Sequence, residues 1–159
     1  MKQEEIINQI ASKHLSDRKY NFIANDEEYI LDKIIIDSES NIGAKLEIID
    51  KIDLNWKYRT MILIDSSTEI REHFVEKYID ELSENEISIL LLDKSNKIVN
   101  EISKLRLEKE DIDTIIFERN YNTTSILTNL AKQKRLSNNA IKELKRNPDI
   151  AEIINEREY

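Results

Sequence analysis

Apolar positions in residues 3–14 fall at Ile6, Ile7, Ile10 and Ala11, the spacing of one helical face, with Glu4 and Glu5 in a first turn where the helix dipole favours anions. The spacing predicts an amphipathic helix. Beyond Tyr20 the pattern shortens into isoleucine-rich runs at 21–24, 29–36 and 44–49, separated by Asn25-Asp26 and by residues 38–43. These predict strands joined by hairpin turns, and 56–64 predicts a further strand ending at Asp65. Ser66-x-x-Glu69 has the form of a capping box, and Ile70, Phe74, Val75, Tyr78, Ile79 and Leu82 make one stripe, so 67–83 reads as a helix. In the second half, 87–92 and 112–117 are continuous apolar runs suited to strands buried on both faces. Ile98, Val99, Ile102 and Leu105 supply a helical stripe between them. Helices over 123–135, from near Ser137, and after Asn147-Pro148 with Asp149-x-x-Glu152 as its cap, complete the chain.

The expected fold class is therefore α/β. It is a mixed sheet, antiparallel hairpins followed by a βαβαβ parallel section, with helices on both faces and a helical C-terminus. Residues 1–120 are expected to form the α/β domain, and 121–159 a helical extension packed on it. One internal echo stands out. Residues 60–70 (TMILIDSSTEI) and 88–98 (SILLLDKSNKI) match in pattern at a spacing of 28. Two copies fall short of the three that a solenoid needs, and any strand-to-helix turn favours an acid or hydroxyl residue at the helix start.

The length of 159 residues leaves room for one domain or two small ones. With 40% hydrophobic and 35% charged residues and a mean hydropathy of -0.57, the chain is globular with a densely ionic surface. The absence of cysteine excludes disulfides, thiolate nucleophiles and Cys-ligated metals, and a lone glycine, Gly43, excludes a Gly-rich phosphate loop. No apolar run approaches a membrane span, and Met1, Lys2, Gln3, Glu4 and Glu5 lack the layout of an export signal, so a cytoplasmic protein without membrane contact is expected.

The net charge of -8 conceals a segregation. Residues 1–118 carry 16 Lys and Arg against 27 Asp and Glu, whereas 119–147 carry 7 against 1. Lys132, Lys134, Arg135, Lys142, Lys145 and Arg146 make up most of that positive block, and Lys142, Lys145 and Arg146 share a helical face opposite Ile141 and Leu144. Such a patch predicts phosphate contact that is independent of sequence and weakened by salt; the alternative is a solvated face paired with the acidic body.

Three acids, Asp65, Asp93 and Glu118, close apolar runs, where a sheet edge could hold Mg²⁺ and phosphate. His14 and His73 lack a second ligand at metal-binding spacing, and Trp56, Lys57, Tyr58 and Arg59 interleave aromatic and basic groups that could stack on bases. The succession of helix 3–14, a hairpin, Gly43 to Asp50, then Arg59 to Ser67, a helix and another strand resembles the restriction-endonuclease-like PD-(D/E)xK family. That resemblance implies a divalent-metal-dependent nuclease, with Glu47 or Asp50 as the first carboxylate and Asp65 as the acid of the acid-x-Lys motif. Glu47 and Asp50 lie an odd number apart, so one strand presents only one of them to a shared site. Ser67 stands where the family has lysine, and no Pro-Asp precedes the sheet. The resemblance thus implies a catalytically impaired, nucleic-acid-binding protein. Any Mg²⁺ or Mn²⁺ would sit on Glu47 and Asp65, and nucleic acid on Lys132, Arg135, Lys142, Lys145 and Arg146. The rival expectation is a non-enzymatic interaction module whose terminal helices, bearing Ile150, Ile153 and Ile154, dock on a protein partner or a second copy.

Overall fold

A computed structural model describes residues 1–15, 26–36 and 42–157. Among them are eleven α-helices and no strand. The helices are α1 (Gln3–His14), α2 (Glu27–Leu31, continued by a π-helical turn over Asp32–Ile36), α3 (Ile42–Lys51), α4 (Trp56–Leu63), α5 (Thr68–Tyr78, continued by a 3₁₀ turn over Ile79–Glu81) and α6 (Glu84–Leu90). They continue with α7 (Asn96–Ile102), α8 (Lys109–Glu118), α9 (Thr124–Ala131), α10 (Asn138–Leu144) and α11 (Pro148–Arg157).

The expected α/β fold, with its mixed sheet, is overturned, and the nuclease-like resemblance built on its strand order falls with it. Five stretches read as strands are helical: 29–36, 44–49, 56–64, 87–92 and 112–117. The run at 21–24 and the turn at 38–41 lie outside the described residues. The physical reason is that a short apolar run does not distinguish a buried strand from a buried helix. In 87–92 only Leu90 and Leu91 are buried, while Ile89 and Leu92 face solvent, as a helix and its closing turn require. On α3 the buried set is Ala44, Lys45, Ile48 and Ile49, a period near four rather than two. The isoleucines favoured a strand reading through their β-branching, but here the choice is made by tertiary burial rather than by a weak local propensity.

The chain folds as two compact units, residues 1–78 and 79–159. The expected division at 120 falls inside the second. In the first unit, α1 packs on α2 and α3, α5 on α3 and α4, and the π-helical turn on α3 and α4. Its core is isoleucine-rich, with Ile7, Ile10, Ile30, Ile34, Ile48 and Ile49 all but fully buried beside Phe74.

The second unit is built from three consecutive helix pairs, α6–α7, α8–α9 and α10–α11. The second helices α7, α9 and α11 form one row, and α8 lies against α10. Within this unit α10 also packs on α9 and α11, and α6 on α7. A common register underlies it. Leu107 and Leu136 stand just before the N-caps Glu108 and Ser137, as Leu82 stands before Ser83. The second helix of each pair carries a buried isoleucine near its start, at Ile98, Ile126 and Ile150, and a buried apolar residue four further on, at Ile102, Leu130 and Ile154. In the first unit, α4–α5 has the same internal construction, with Leu54 before the cap Asn55, then Ile70 and Phe74. The echo at a spacing of 28 is thus two of four copies of a capped helix pair.

Caps explain where each helix starts. The side chains of Asn55, Ser83, Ser95, Thr123 and Ser137 accept the backbone N–H three residues on. Ser83 and Glu86 complete a reciprocal capping box. The expected box at Ser66 is corrected by one residue, because Ser67 Oγ accepts the Ile70 N–H at 3.4 Å. The last cap is corrected as well. Asn147 Oδ1 accepts the Asp149 N–H at 3.0 Å, and Pro148 takes the first helical position, where its missing N–H costs nothing. Replacement of Ser67 by Ala is expected to lower stability by about 1 kcal/mol in urea denaturation, while Ser66→Ala leaves it within about 0.3 kcal/mol.

Candidate functional site

The carboxylates expected to share a metal are directed to different partners. Asp65 follows α4, and its side chain is largely buried. Its Oδ2 accepts Lys45 Nζ at 2.6 Å, and its Oδ1 accepts the Ser67 N–H at 2.8 Å. The Arg71 guanidinium reaches the Asp65 carbonyl at 2.7 Å. Every acceptor of Asp65 therefore has a task within the fold. Glu47 lies two residues beyond Lys45 on α3, about 200° around the helix, so it faces away from the Lys45–Asp65 pair. There it meets the Lys13 ammonium, His14 Nε2 at 3.3 Å and Lys51 Nζ at 3.8 Å. The Lys13 hydrogen bond is the main reason that the Glu47 carboxyl titrates below its ordinary value of 4.5; partial burial opposes the shift, and His14 and Lys51 add to it.

Asp65 and Asp93 hold the same place in successive pairs. Asp93 Oδ1 accepts the Ser95 N–H at 2.9 Å, as Asp65 does for Ser67, so both acids shape the turn between paired helices. Glu118 is exposed. Among the described residues, no group of three or more His, Asp and Glu side chains could hold a metal. His73 Nε2 lies 2.7 Å from Asp50 Oδ1. In the 56–59 segment only Trp56 is free for stacking, at 80% exposure. Tyr58 is buried, with its hydroxyl donating to Asp32 Oδ1 at 2.8 Å, and burial followed by the Asp32 contact raises its pKa. Lys57 pairs with Asp32 at 3.5 Å, and Arg59 lies over the rings of Phe74 and Tyr78.

In the second unit the basic block is at the surface. Lys132, Lys134 and Arg135 occupy the connection from α9 to α10, Lys142 lies on α10, and Lys145 and Arg146 follow it; all six residues are exposed. Arg135 approaches Glu108 at 3.5 Å and Arg146 approaches Glu143 at 3.3 Å, pairs open enough to water to contribute little. The side chains of Lys132, Lys134 and Lys142 have no hydrogen-bonding or ionic partner among the described residues. Ala140 and Leu144 anchor α10, and Lys142 stands about 200° from each, pointing to solvent. The apolar face of α11 is covered within its own unit, since Ile150 and Ile154 are buried with Ala131 and Leu144, and Ile153 packs against them. The expected docking face on the terminal helices is therefore already occupied.

Sequence reasoning missed Gln133 and Arg119, the side chains that fix the edges of this unit. Gln133 is buried in the middle of the basic block. Its Nε2 donates to the Ser103 carbonyl at 2.8 Å and the Leu105 carbonyl at 2.6 Å, and its Oε1 accepts the Leu107 N–H at 3.2 Å. One amide thus ties the α7–α8 connection to the end of α9. At the other end of the pairs, Arg119 donates to the Asp93 carbonyl at 3.0 Å and to Asn96 Oδ1 at 2.8 Å, and also to the Tyr121 carbonyl. Burial lowers its pKa. A lone glutamine between lysines carries no sequence signal of burial; it would show only against the aligned register of the pairs.

Comparison with known protein families, curated proteins and solved structures returns no match. Among the described residues no helix is long and apolar enough to cross a membrane.

Two outcomes follow from this geometry. Gln133→Leu orphans one buried N–H and two carbonyls, and a loss of about 2–4 kcal/mol in urea unfolding is expected. For Glu47, the lowered folded-state pKa means that its ion pairs stabilise the fold above the ordinary carboxylate range, and that this contribution disappears as pH falls through the lowered value. Wild type is accordingly expected to exceed Glu47→Gln in stability at neutral pH. The gap should close below pH 4.5 when urea midpoints are compared across pH.

Proposed function

We propose that residues 79–159 bind nucleic acid through its phosphates, with Lys132, Arg135, Lys142, Lys145 and Arg146 as contacts and no catalytic step. The observation that carries this reading is the set of exposed cations at 132–146, three of whose side chains have no hydrogen-bonding or ionic partner among the described residues. Like charges gathered on one short helix and its flanking turns repel one another, and the exposed pairs of Arg135 with Glu108 and Arg146 with Glu143 offset only part of that repulsion. The cations therefore do little for the fold, while an external polyanion would relieve their repulsion and release its own counterions.

The acidic remainder of the chain does not forbid this. At physiological ionic strength the Debye length is about 8 Å, so exposed charges further away than that are largely screened. Contacts of this kind fix position on a backbone and do not read bases, so binding is indifferent to sequence. A cytoplasmic setting belongs to the same reading.

The test is fluorescence anisotropy with labelled oligonucleotides at about 50 and about 200 mM salt. Binding at the lower concentration, sharply weaker at the higher, is expected. Removing Lys142, Lys145 and Arg146 together should weaken it evenly across sequences and flatten the salt slope by roughly 0.7–0.9 per lost contact. No binding at low salt, or affinity unchanged after all five named cations become Ala, would overturn the reading.

A further inference from the structure

A cleft of about 460 Å³ lies between the α7–α8 connection and the α9–α10 connection of the second unit. Its lining includes Lys104 and Arg106 from the first connection, and Lys132, Lys134 and Arg135 from the second, against one acid, Glu108. The side chains of Arg106, Lys132 and Lys134 have no hydrogen-bonding or ionic partner among the described residues. Lys104 meets Glu101 at 3.1 Å, an exposed i,i+3 pair worth little in water.

The floor of the cleft is rigid. Gln133 clamps Ser103, Leu105 and Leu107, and Asn129 Nδ2 donates to Ser103 Oγ at 3.0 Å and to Asn100 Oδ1 at 3.1 Å. Both connections are thereby held in place without a ligand, and a charged ligand need not pay to order them. Arg106 and Arg135 also occupy equivalent positions, each immediately before the leucine that opens a helix pair. They stand one repeat apart, on a scaffold whose neighbouring helices lie about 8–10 Å from one another.

We infer, on the nucleic-acid reading above, that this cleft seats successive phosphates of a single strand, one beside Arg106 and the next toward Arg135, with Lys104, Lys132 and Lys134 around them. The cleft is of a size that receives small ligands, so a flexible strand can enter it whereas a rigid duplex lies across its rim. Guanidinium planes at this rim can also stack on unpaired bases. The inference adds Lys104 and Arg106 to the contact set and centres the ligand on the edge of the helix pairs, from which the strand runs on toward Lys142, Lys145 and Arg146.

The experiment uses the full chain and a labelled oligothymidylate, with a duplex of equal length and a polyglutamate peptide as competitors. Lys104→Ala with Arg106→Ala is expected to weaken single-strand binding roughly tenfold and to flatten the salt slope by about 1.4, while Arg106→Lys retains most of the affinity. Both side chains are exposed, so the unfolding midpoint of the double variant should match wild type. As a second measurement on the unmodified chain, a photoreactive oligonucleotide should crosslink within 103–108 and 132–135. Full affinity in the Lys104/Arg106 variant, together with loss in the Lys142/Lys145/Arg146 variant, overturns the cleft and leaves the nucleic-acid reading standing. Tighter binding of duplex than of single strand, or equal competition by polyglutamate, also overturns it. Absence of any wild-type binding removes both.

Discussion

A helix of seven or eight residues does not persist alone in water, because nucleation costs more than two turns of hydrogen bonds return. Six of the eleven helices here are no longer than that. The structure therefore depends on what lies at their ends and on one face. A side-chain oxygen satisfies an orphan N–H at the start of most of them, and a buried isoleucine or leucine fastens each to its neighbours. Caps set where each helix begins, and stacking supplies the burial that a short helix cannot provide for itself.

That dependence explains what could be read in the sequence. The helix at 3–14 and those near 67–83, 123–135, Ser137 and the C-terminus were legible, because a polar cap precedes an apolar stripe long enough to show its period. The first helices of the other pairs, α4, α6 and α8, were not. In α6 and α8 the stripe is compressed into five or six mostly apolar residues, and the outward positions are filled by Ile89, Leu92 and Phe117 instead of charges. Without polar residues on the outer face there is no visible period. Composition carried a contrary signal, since one glycine and one proline leave little turn chemistry for a run of hairpins. The caps Asn55, Ser83 and Ser137, each following a leucine, marked the repeat directly, but they align only when four copies are set in register rather than two.

The candidate site divides in the same way. Charge segregation is a property of the sequence itself, and the positive block at 132–146 stays at the surface. The carboxylates behaved otherwise because their reading depended on strand geometry. Once α3 is a helix, Lys45 and Glu47 diverge by about 200°, so the lysine that neutralises Asp65 is also the residue that fixes Glu47 on the far side. Asp65 and Asp93 look alike in sequence because they build the same turn, which is a structural task repeated and not a chemical one assembled.

A stacked-pair scaffold separates what must stay constant from what is free to vary. The isoleucine near the start of each second helix is buried, and the leucine opening each pair is buried or half-buried, so their chemistry is held by the core. The residue just before that leucine is not. It is Glu81 before Leu82, Arg106 before Leu107 and Arg135 before Leu136, a reversal of charge at one structural position. Packing cannot account for such a reversal, since neither sign is buried there and both leave the leucine in place. The connections at this edge can therefore change their electrostatics from pair to pair without disturbing the stack. The two connections that are basic at this position are also the two that Gln133 ties together.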